Sequence, residues 1–180
     1  MTDPAHTTTT PADVAFTTAY LDDLRRVIEG LDAHSIATAI EWMRQTRDAD
    51  GTIFICGNGG SASIASQMVV DIVKGASLRK ATRFKMIGLT DSIATITAYA
   101  NDEGYETVFE EPLKNFARAG DLVIGISGSG NSENVLRAIR LAGERSCRSI
   151  GLTTGEGGEL KGLVDLALAV PSSHMGRLED

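Results

Sequence analysis

The stretch TIFICGNGGS, residues 52–61, places a continuous apolar run directly before a glycine-rich turn. A second stretch, LVIGISGSGNS at residues 122–132, repeats this arrangement and adds serines to the turn. Each apolar run has the length of a strand buried on both faces, and each turn leads into helix-like sequence. Glycine lets the backbone approach a ligand closely, and the free N–H groups at the start of a helix attract anions. The two turns therefore predict cradles for a phosphate or a similar small polyoxygen group.

The segments around these two turns alternate between strand and helix patterns. The strand candidates are 52–56, 84–89, 122–127, 149–153 and 166–170. The helix candidates are 62–75, 92–100, 105–117, 132–145 and 158–163. This alternation predicts an α/β fold, a three-layer α/β/α sandwich around a five-stranded, mainly parallel sheet. Ligands bind such folds beyond the carboxyl ends of the strands, where both turns lie together with a third glycine-rich turn at 153–158.

The sequence before the first strand predicts a polar arm followed by two amphipathic helices. Residues 1–11 contain a threonine repeat and two prolines, and they are predicted to be a disordered N-terminal arm. Apolar residues recur at helical spacing over 20–31 and again over 36–43. These N-terminal helices either pack on the sheet or join subunits. Residues 12–180 are predicted to form a single domain whose C-terminal helix is truncated at Asp180.

The composition argues against several classes of function. The formal net charge is −7, which disfavours sequence-independent nucleic-acid binding, although local backbone dipoles can still bind a phosphate. No apolar run approaches the ~18 residues of a membrane span, and no signal peptide is visible. We therefore predict a cytoplasmic protein with neither a nucleic-acid nor a membrane partner. Cys56 and Cys147 have no metal-like spacing and are predicted to be small buried side chains.

Common motifs for nucleotide binding and ester hydrolysis fit the chain poorly. Residues 57–62, GNGGSA, match the dinucleotide pattern G-x-G-x-x-A. The acidic residue expected about 20 residues after the motif is displaced, because Asp91, at the end of the second predicted strand, lies about 30 residues after it. The sequence contains neither a P-loop nor a G-x-S-x-G elbow. The hydroxyls of the second turn exceed what helix capping requires, so this turn is predicted to hold phosphate.

Taken together, the turns at 57–61 and 125–132 resemble those of the sugar isomerase (SIS) domain family, most closely its phosphoheptose isomerase branch. Supporting matches are AYAND at 98–102, GD at 120–121, GG at 157–158 and VPS at 170–172. The resemblance extends from about residue 15 to the end of the chain. It implies a tetramer with active sites between subunits, which converts sedoheptulose 7-phosphate into an aldoheptose 7-phosphate.

The resemblance implies roles for the matching positions. The sugar side of the cleft would be lined by Asn58, Gly59, Gly60 and Ser61. The phosphate would be held by Ser127, Gly128, Ser129 and Ser132. Sugar hydroxyls would be contacted by Asn101 and Asp102.

The chain departs from the family at the catalytic centre. Family enzymes carry a histidine and a glutamate at i and i+4 on the helix after the first turn, and both can bind zinc. Gln67 and Asp71 occupy these positions here, and the glutamine of the family's final helix falls on Glu179. Because glutamine is a poor transition-metal ligand beside imidazole, a zinc site built from Gln67, Asp71 and Glu179 is not expected. Asp71 is the predicted base, with Glu179 or His174 as the acid.

Two hypotheses about function follow. In the first, the chain is an aldose–ketose isomerase that acts on a heptose phosphate or a related long-chain sugar phosphate. In the second, it is a non-catalytic SIS protein that senses a sugar phosphate or engages another protein. Turnover of sedoheptulose 7-phosphate would separate the two.

Overall fold

Five strands form one parallel sheet in the computed structural model, which describes residues 9–172. The strands are β1 (Thr52–Gly57), β2 (Lys85–Gly88), β3 (Leu122–Ile126), β4 (Arg148–Thr154) and β5 (Leu166–Val170). Their order in the sheet is β2-β1-β3-β4-β5, and every neighbouring pair is parallel. The predicted five-stranded sheet is confirmed, and its strands lie within about two residues of the predicted bounds.

Seven α-helices are present in the described part of the chain. They are α1 (Pro11–Glu29), α2 (Ala33–Asp48), α3 (Gly60–Val70), α4 (Ile93–Asp102), α5 (Glu110–Phe116), α6 (Glu133–Glu144) and α7 (Gly158–Leu163). A π-helical turn, Asp71–Ala76, continues α3, and a 3₁₀ turn, Tyr105–Thr107, precedes α5.

Two predictions about the helical segments are wrong. The single helix expected over 105–117 is two pieces, because Pro112 lacks an N–H and clashes with the preceding turn, so it is tolerated only near a helix start. The predicted N-terminal arm includes Pro11, yet α1 begins there. Thr10 and Asp13 form a capping box around a first-turn proline, which fixes this start. Residues 1–8 of that arm lie outside the described residues.

The apolar core has two halves, one on each face of the sheet. On one face Ile53, Ile55 and Ile124 pack against α2 and α3. On the other face Phe54 and Val123 pack against helices α5 to α7. β3 is buried along its whole length, as its unbroken apolar sequence predicts. These contacts confirm the three-layer α/β/α sandwich.

The first helix contributes little to this core. Of its nineteen residues only Val27 is buried. Val14, Phe16 and Ile28 are 56%, 73% and 59% exposed. The second helix behaves differently, since Ala39 and Met43 pack on the sheet. Within residues 9–172, no helix combines the length and the apolar character that a membrane crossing needs.

Candidate functional site

Two of the glycine-rich turns lie side by side at the carboxyl edge of the sheet. β1 and β3 are neighbours with Gly57 paired to Ile126, so turn 1 (57–61) adjoins turn 2 (127–132). From β1 the chain crosses to β2 on one side, and from β3 it crosses to β4 on the other. Parallel α/β sheets open a ligand crevice at such a reversal. The structure thus brings the two predicted cradles together.

Turn 1 is a tight connection from β1 into α3. Gly59 has a φ of 55°, a conformation that side chains disfavour. A Cβ atom on Gly57 would lie only 2.8 Å from the Cβ atom of Ser61. Ser61 is buried beneath the turn, and Gly60 is the first residue of α3. The N–H groups of Gly60 and Ser61 precede the first hydrogen bonds of this helix, which are donated to the carbonyl of Gly59, so these two N–H groups are available to an anion at this edge.

Turn 2 carries its serine hydroxyls in a defined pattern. Ser127 is buried, and its Oγ donates to the Oγ of Ser132 over 3.0 Å. Ser132 is the N-cap residue of α6, yet its side chain makes no capping hydrogen bond. Ser129 is exposed, and its Oγ accepts from the backbone N–H of Asn131 over 3.2 Å. The O–H groups of Ser129 and Ser132 can therefore donate to a bound oxyanion.

The third glycine-rich turn, turn 3 (153–158), packs directly on turn 2. The Oγ1 of Thr154 donates to the carbonyl of Gly128 over 2.6 Å. The N–H of Leu160 donates to the carbonyl of Gly130 over 2.9 Å. A Cβ atom on Gly130, where φ is 69°, would lie 1.9 Å from the carbonyl oxygen of Gly157. Hydrogen bonds from turn 3 and the start of α7 thus fix the backbone of turn 2. Gly128 takes part in these contacts as an acceptor, through its carbonyl.

A pair of asparagine amides joins turn 1 to the start of α6. The Nδ2 of Asn58 donates to the Oδ1 of Asn134, and the Nδ2 of Asn134 donates back to the Oδ1 of Asn58, each over 2.9 Å. The hydroxyl of Tyr105 also donates to the Oδ1 of Asn58 over 2.9 Å. We call this arrangement of Asn58, Asn134 and Tyr105 the amide bridge.

The amide bridge contains two residues that the sequence analysis did not identify. Asn134 is only 3% exposed and shares the buried stripe of α6 with Ala138 and Leu141. A buried polar side chain at an apolar stripe position requires hydrogen-bond partners, and this signal could have singled out Asn134. Tyr105 gives no such signal, because it lies in a short connection and is 54% exposed.

The last two predicted sugar contacts lie at the end of α4. Asn101 and Asp102 are both exposed, and the Nδ2 of Asn101 donates to the Oδ1 of Asp102 over 2.7 Å. The chain then turns at Gly104 and reaches turn 1 through Tyr105. The hydrogen bond of Tyr105 thus links the segment that follows the two predicted sugar contacts to turn 1.

The predicted base and the glutamine before it lie together along α3 and the π-helical turn. The Nε2 of Gln67 donates to the Oδ1 of Asp71 over 3.1 Å, and both side chains are exposed beside an open pocket lined by Ile64 and Met68. At 1.5 Å per residue, Asp71 stands about 15 Å along the axis from Ser61. Asp71 is therefore well separated from turn 1 of its own chain.

The donor set around Asp71 does not suit zinc. The amide of Gln67 is turned toward the carboxylate as a hydrogen-bond donor. Imidazole, thiolate and carboxylate are the side chains that bind zinc in proteins. Among the residues that the structure describes, no cluster of three or more such side chains occurs. Glu179 and His174, the other predicted catalytic residues, lie outside the described residues.

The cysteines do not supply a nucleophile to this edge of the sheet. Cys56 directly precedes turn 1 and is completely buried, which raises the pKa of its thiol to about 12. Burial also raises the pKa of Cys147 to about 11. Both groups remain thiols at neutral pH, as expected for small buried side chains.

Comparisons with known proteins agree with this geometry. A model of the SIS domain family matches residues 18–154. The phosphoheptose isomerase of Geobacter sulfurreducens is 37% identical over 166 residues, which span 91% of this chain and 87% of that protein. The solved phosphoheptose isomerase of Neisseria gonorrhoeae has a TM-score of 0.85 at 33% identity, covering 95% of this chain and 91% of its own. The solved enzyme of Francisella tularensis has the same TM-score at 28% identity, with coverages of 92% and 90%.

Proposed function

Since the chain belongs to the SIS domain family and to its phosphoheptose isomerase branch, we propose that it is an aldose–ketose isomerase acting on sedoheptulose 7-phosphate or a related long-chain sugar phosphate. The observation that carries this proposal is the adjacency of two glycine-rich turns, turn 1 and turn 2, at the topological switch point. A sugar phosphate is the ligand class that offers an anionic end together with several oxygens to neighbouring cradles.

The reaction needs a base, an acid and an anchor for the phosphate. The base removes a proton from C1, next to the C2 carbonyl, and the electron pair forms an enediolate. Return of a proton to C2, with transfer of a proton between the two oxygens, completes the aldose. C1 is oxidised and C2 is reduced by the same pair of electrons, so no external redox partner is required.

We assign these tasks to the residues of this chain. Asp71 acts as the base, and its hydrogen bond from Gln67 leaves the second carboxylate oxygen for the proton. Ser129 and Ser132 donate to the phosphate at the start of α6. Asn101 and Asp102 bind sugar hydroxyls, and Glu179 or His174 moves the proton between oxygens. Because the donor set around Asp71 does not suit zinc, we derive no step through a metal.

We further propose that the protein is a homo-oligomer, a tetramer as in the family it resembles, with active sites between subunits. Exposed apolar side chains on α1, such as Phe16 and Ile28, would otherwise face water. The axial separation of about 15 Å between Asp71 and Ser61 also favours a site in which Asp71 serves the cradles of a neighbouring subunit. A solution mass of 19.1 kDa, that of one chain, would contradict this proposal.

A cytoplasmic location fits the same function. The two cysteines are free and buried rather than joined in a disulfide. Reduced thiols are typical of the cytoplasmic compartment. Fractionation of the native host would test this location, and recovery of the protein outside the cytoplasm would contradict it.

The direct test of the function is turnover of sedoheptulose 7-phosphate. We expect the purified full chain to form the aldose, and to keep its rate within about twofold after treatment with a chelator, because no step here requires a metal. Loss of the rate with the chelator and its return with zinc would contradict the metal-free assignment. If no aldose forms while the sugar phosphate still raises the melting temperature, the chain is a binding module instead.

The phosphate anchor gives a separate prediction. Ser132→Ala removes a hydroxyl that accepts from Ser127 and caps nothing, so the fold should be kept. A hydrogen bond to a charged group contributes about 1.5–3 kcal/mol, so we expect the affinity for the sugar phosphate to fall about 10-fold or more by calorimetry. Ser35→Ala, which removes a hydroxyl bonded to Asp32 on α2, is the matched control. Unchanged affinity in Ser132→Ala would place the phosphate elsewhere.

A further inference from the structure

The amide bridge fixes the orientation of Asn58. The backbone N–H of Val135 donates to one side-chain atom of Asn134 over 3.0 Å, so that atom must be the oxygen. The atom of Asn58 that faces this oxygen is then its nitrogen. It follows that the Oδ1 of Asn58 faces the Nδ2 of Asn134 and the hydroxyl of Tyr105. Both amides are thus oriented by a chain of contacts that begins at the backbone of α6.

This orientation limits what Asn58 can offer a ligand. Its carbonyl oxygen has two lone pairs, and each already accepts a hydrogen bond, one from Asn134 and one from Tyr105. One N–H of its Nδ2 is taken by Asn134. The second N–H is the one hydrogen-bonding group of this side chain without a partner among the described residues. Asn58 is therefore a donor, and a poor acceptor for a sugar hydroxyl.

We propose that Asn134 and Tyr105 are positioning residues that hold the free N–H of Asn58 toward the C2 oxygen of the substrate. This inference rests on the proposed isomerase function. The N–H then donates to the carbonyl and, more strongly, to the enediolate oxygen that the carbonyl becomes. Preorganised donors of this kind stabilise charge that develops in the transition state, and they do so best when their own orientation costs nothing during the reaction.

Tyr105→Phe is the most direct test, because it removes one oxygen from a half-exposed side chain and should leave the fold intact. Without this donor the amide of Asn58 is held by Asn134 alone. We expect kcat to fall about 10-fold, a part of the 10²–10³ that a whole oxyanion donor contributes, while KM changes less than about twofold. A 10-fold rise in KM with an unchanged kcat would overturn the proposal, since it would mean that Tyr105 contributes to substrate binding alone.

A double-mutant cycle separates a positioning role from a direct contact. If Tyr105 acts through Asn58, Tyr105→Phe should have no further effect, within about twofold, in an Asn58→Ala background. An undiminished 10-fold loss in that background would mean that Tyr105 acts elsewhere.

Asn134→Ala should lower kcat by at least as much as Tyr105→Phe, because Asn134 bonds both the Nδ2 and the Oδ1 of Asn58. Asn115→Ala, an exposed asparagine on α5, is the control.

A binding measurement keeps this inference distinct from the proposed function. A phosphorylated hydroxamate mimics the enediolate, whereas inorganic phosphate does not. By calorimetry, Tyr105→Phe should weaken the hydroxamate about 10-fold and leave inorganic phosphate within about twofold. This result can be obtained whether or not the wild-type protein turns over sedoheptulose 7-phosphate. Absence of turnover would reject the isomerase, while equal hydroxamate affinity in Tyr105→Phe and wild type would reject the role of the amide bridge.

Discussion

Replacing Asp71 with asparagine is expected to lower kcat for sedoheptulose 7-phosphate by at least about 100-fold, with KM almost unchanged. The substitution keeps the size of the side chain and removes the negative charge that takes the proton. Because Asp71 is exposed, the fold should be unaffected, and melting curves of the two proteins should superimpose. Initial rates of aldose formation, at protein concentrations high enough to measure the residual rate, provide the test.

Two further variants show whether the carboxylate itself is responsible. Asp71→Glu keeps the charge and adds one methylene, as in the family that the chain resembles, so substantial activity should be retained. Asp50→Asn removes an exposed carboxylate, paired with Lys85, just before β1 and thus away from the crevice, and it should leave the rate unchanged. If Asp71→Asn retained more than about half of the wild-type rate, another group would have to be the base.

Sequence reasoning predicts Asp71 as the base but does not predict the local helix geometry around it. Its i, i+4 relation to Gln67 follows from helical periodicity, and the structure joins the two side chains by a hydrogen bond. The change from α-helix to π-helix at Asp71 has no counterpart in the periodicity of the sequence. The distance of Asp71 from turn 1, by contrast, is implied by the sequence, because a helix over 62–75 separates Asp71 from Ser61 by ten residues of helical rise.

The fold itself could be predicted because its signals are local. Apolar runs that are buried on both faces define β1 and β3, and glycine and serine define the turns after them. The order of strands is not local, because it depends on which side of the sheet each connection crosses. The break in the 105–117 helix was missed although Pro112 signals it, since the apolar spacing continues across the break.

The contacts of the amide bridge cannot be predicted from local sequence patterns. The sequence predicts that Asn58 lines the sugar side of the cleft, but the orientation of its amide depends on Asn134, 76 positions further along the chain, and on Tyr105, 47 positions further. Neither spacing is periodic. Only the adjacency of β1 and β3 brings Asn58 to α6, so the partners become visible once the sheet order is known.

Gly130→Ala is expected to be the most destabilising single change in the site. A new Cβ atom would lie 1.9 Å from the carbonyl oxygen of Gly157, which is backbone and cannot rotate away. The residue also has a φ of 69°, which costs an alanine about 1–2 kcal/mol. Strain from overpacking adds about 1–3 kcal/mol. Together these terms predict a loss of about 2–5 kcal/mol in the free energy of unfolding.

Alanine variants of two other glycines distinguish backbone strain from the steric clash at Gly130. Gly120 has a φ of 90° and open space around its Cβ position, so Gly120→Ala should show backbone strain alone, about 1–2 kcal/mol. Gly143 lies inside α6 with nothing near its Cβ position, and Gly143→Ala should stabilise the protein by up to about 1 kcal/mol. Thermal unfolding at one fixed protein concentration would rank the three variants.

Gly130→Ala also tests whether turn 3 supports the predicted phosphate cradle of turn 2. Relief of the clash requires turns 2 and 3 to move apart, which breaks the hydrogen bond from Leu160 to the carbonyl of Gly130. Because Ser129 adjoins Gly130, its hydroxyl would move with the backbone. Any Gly130→Ala protein that remains folded at low temperature should therefore lose the thermal stabilisation by sugar phosphate, whereas Gly120→Ala should keep it. Equal stabilisation of both variants would mean that the anion is held independently of turn 3.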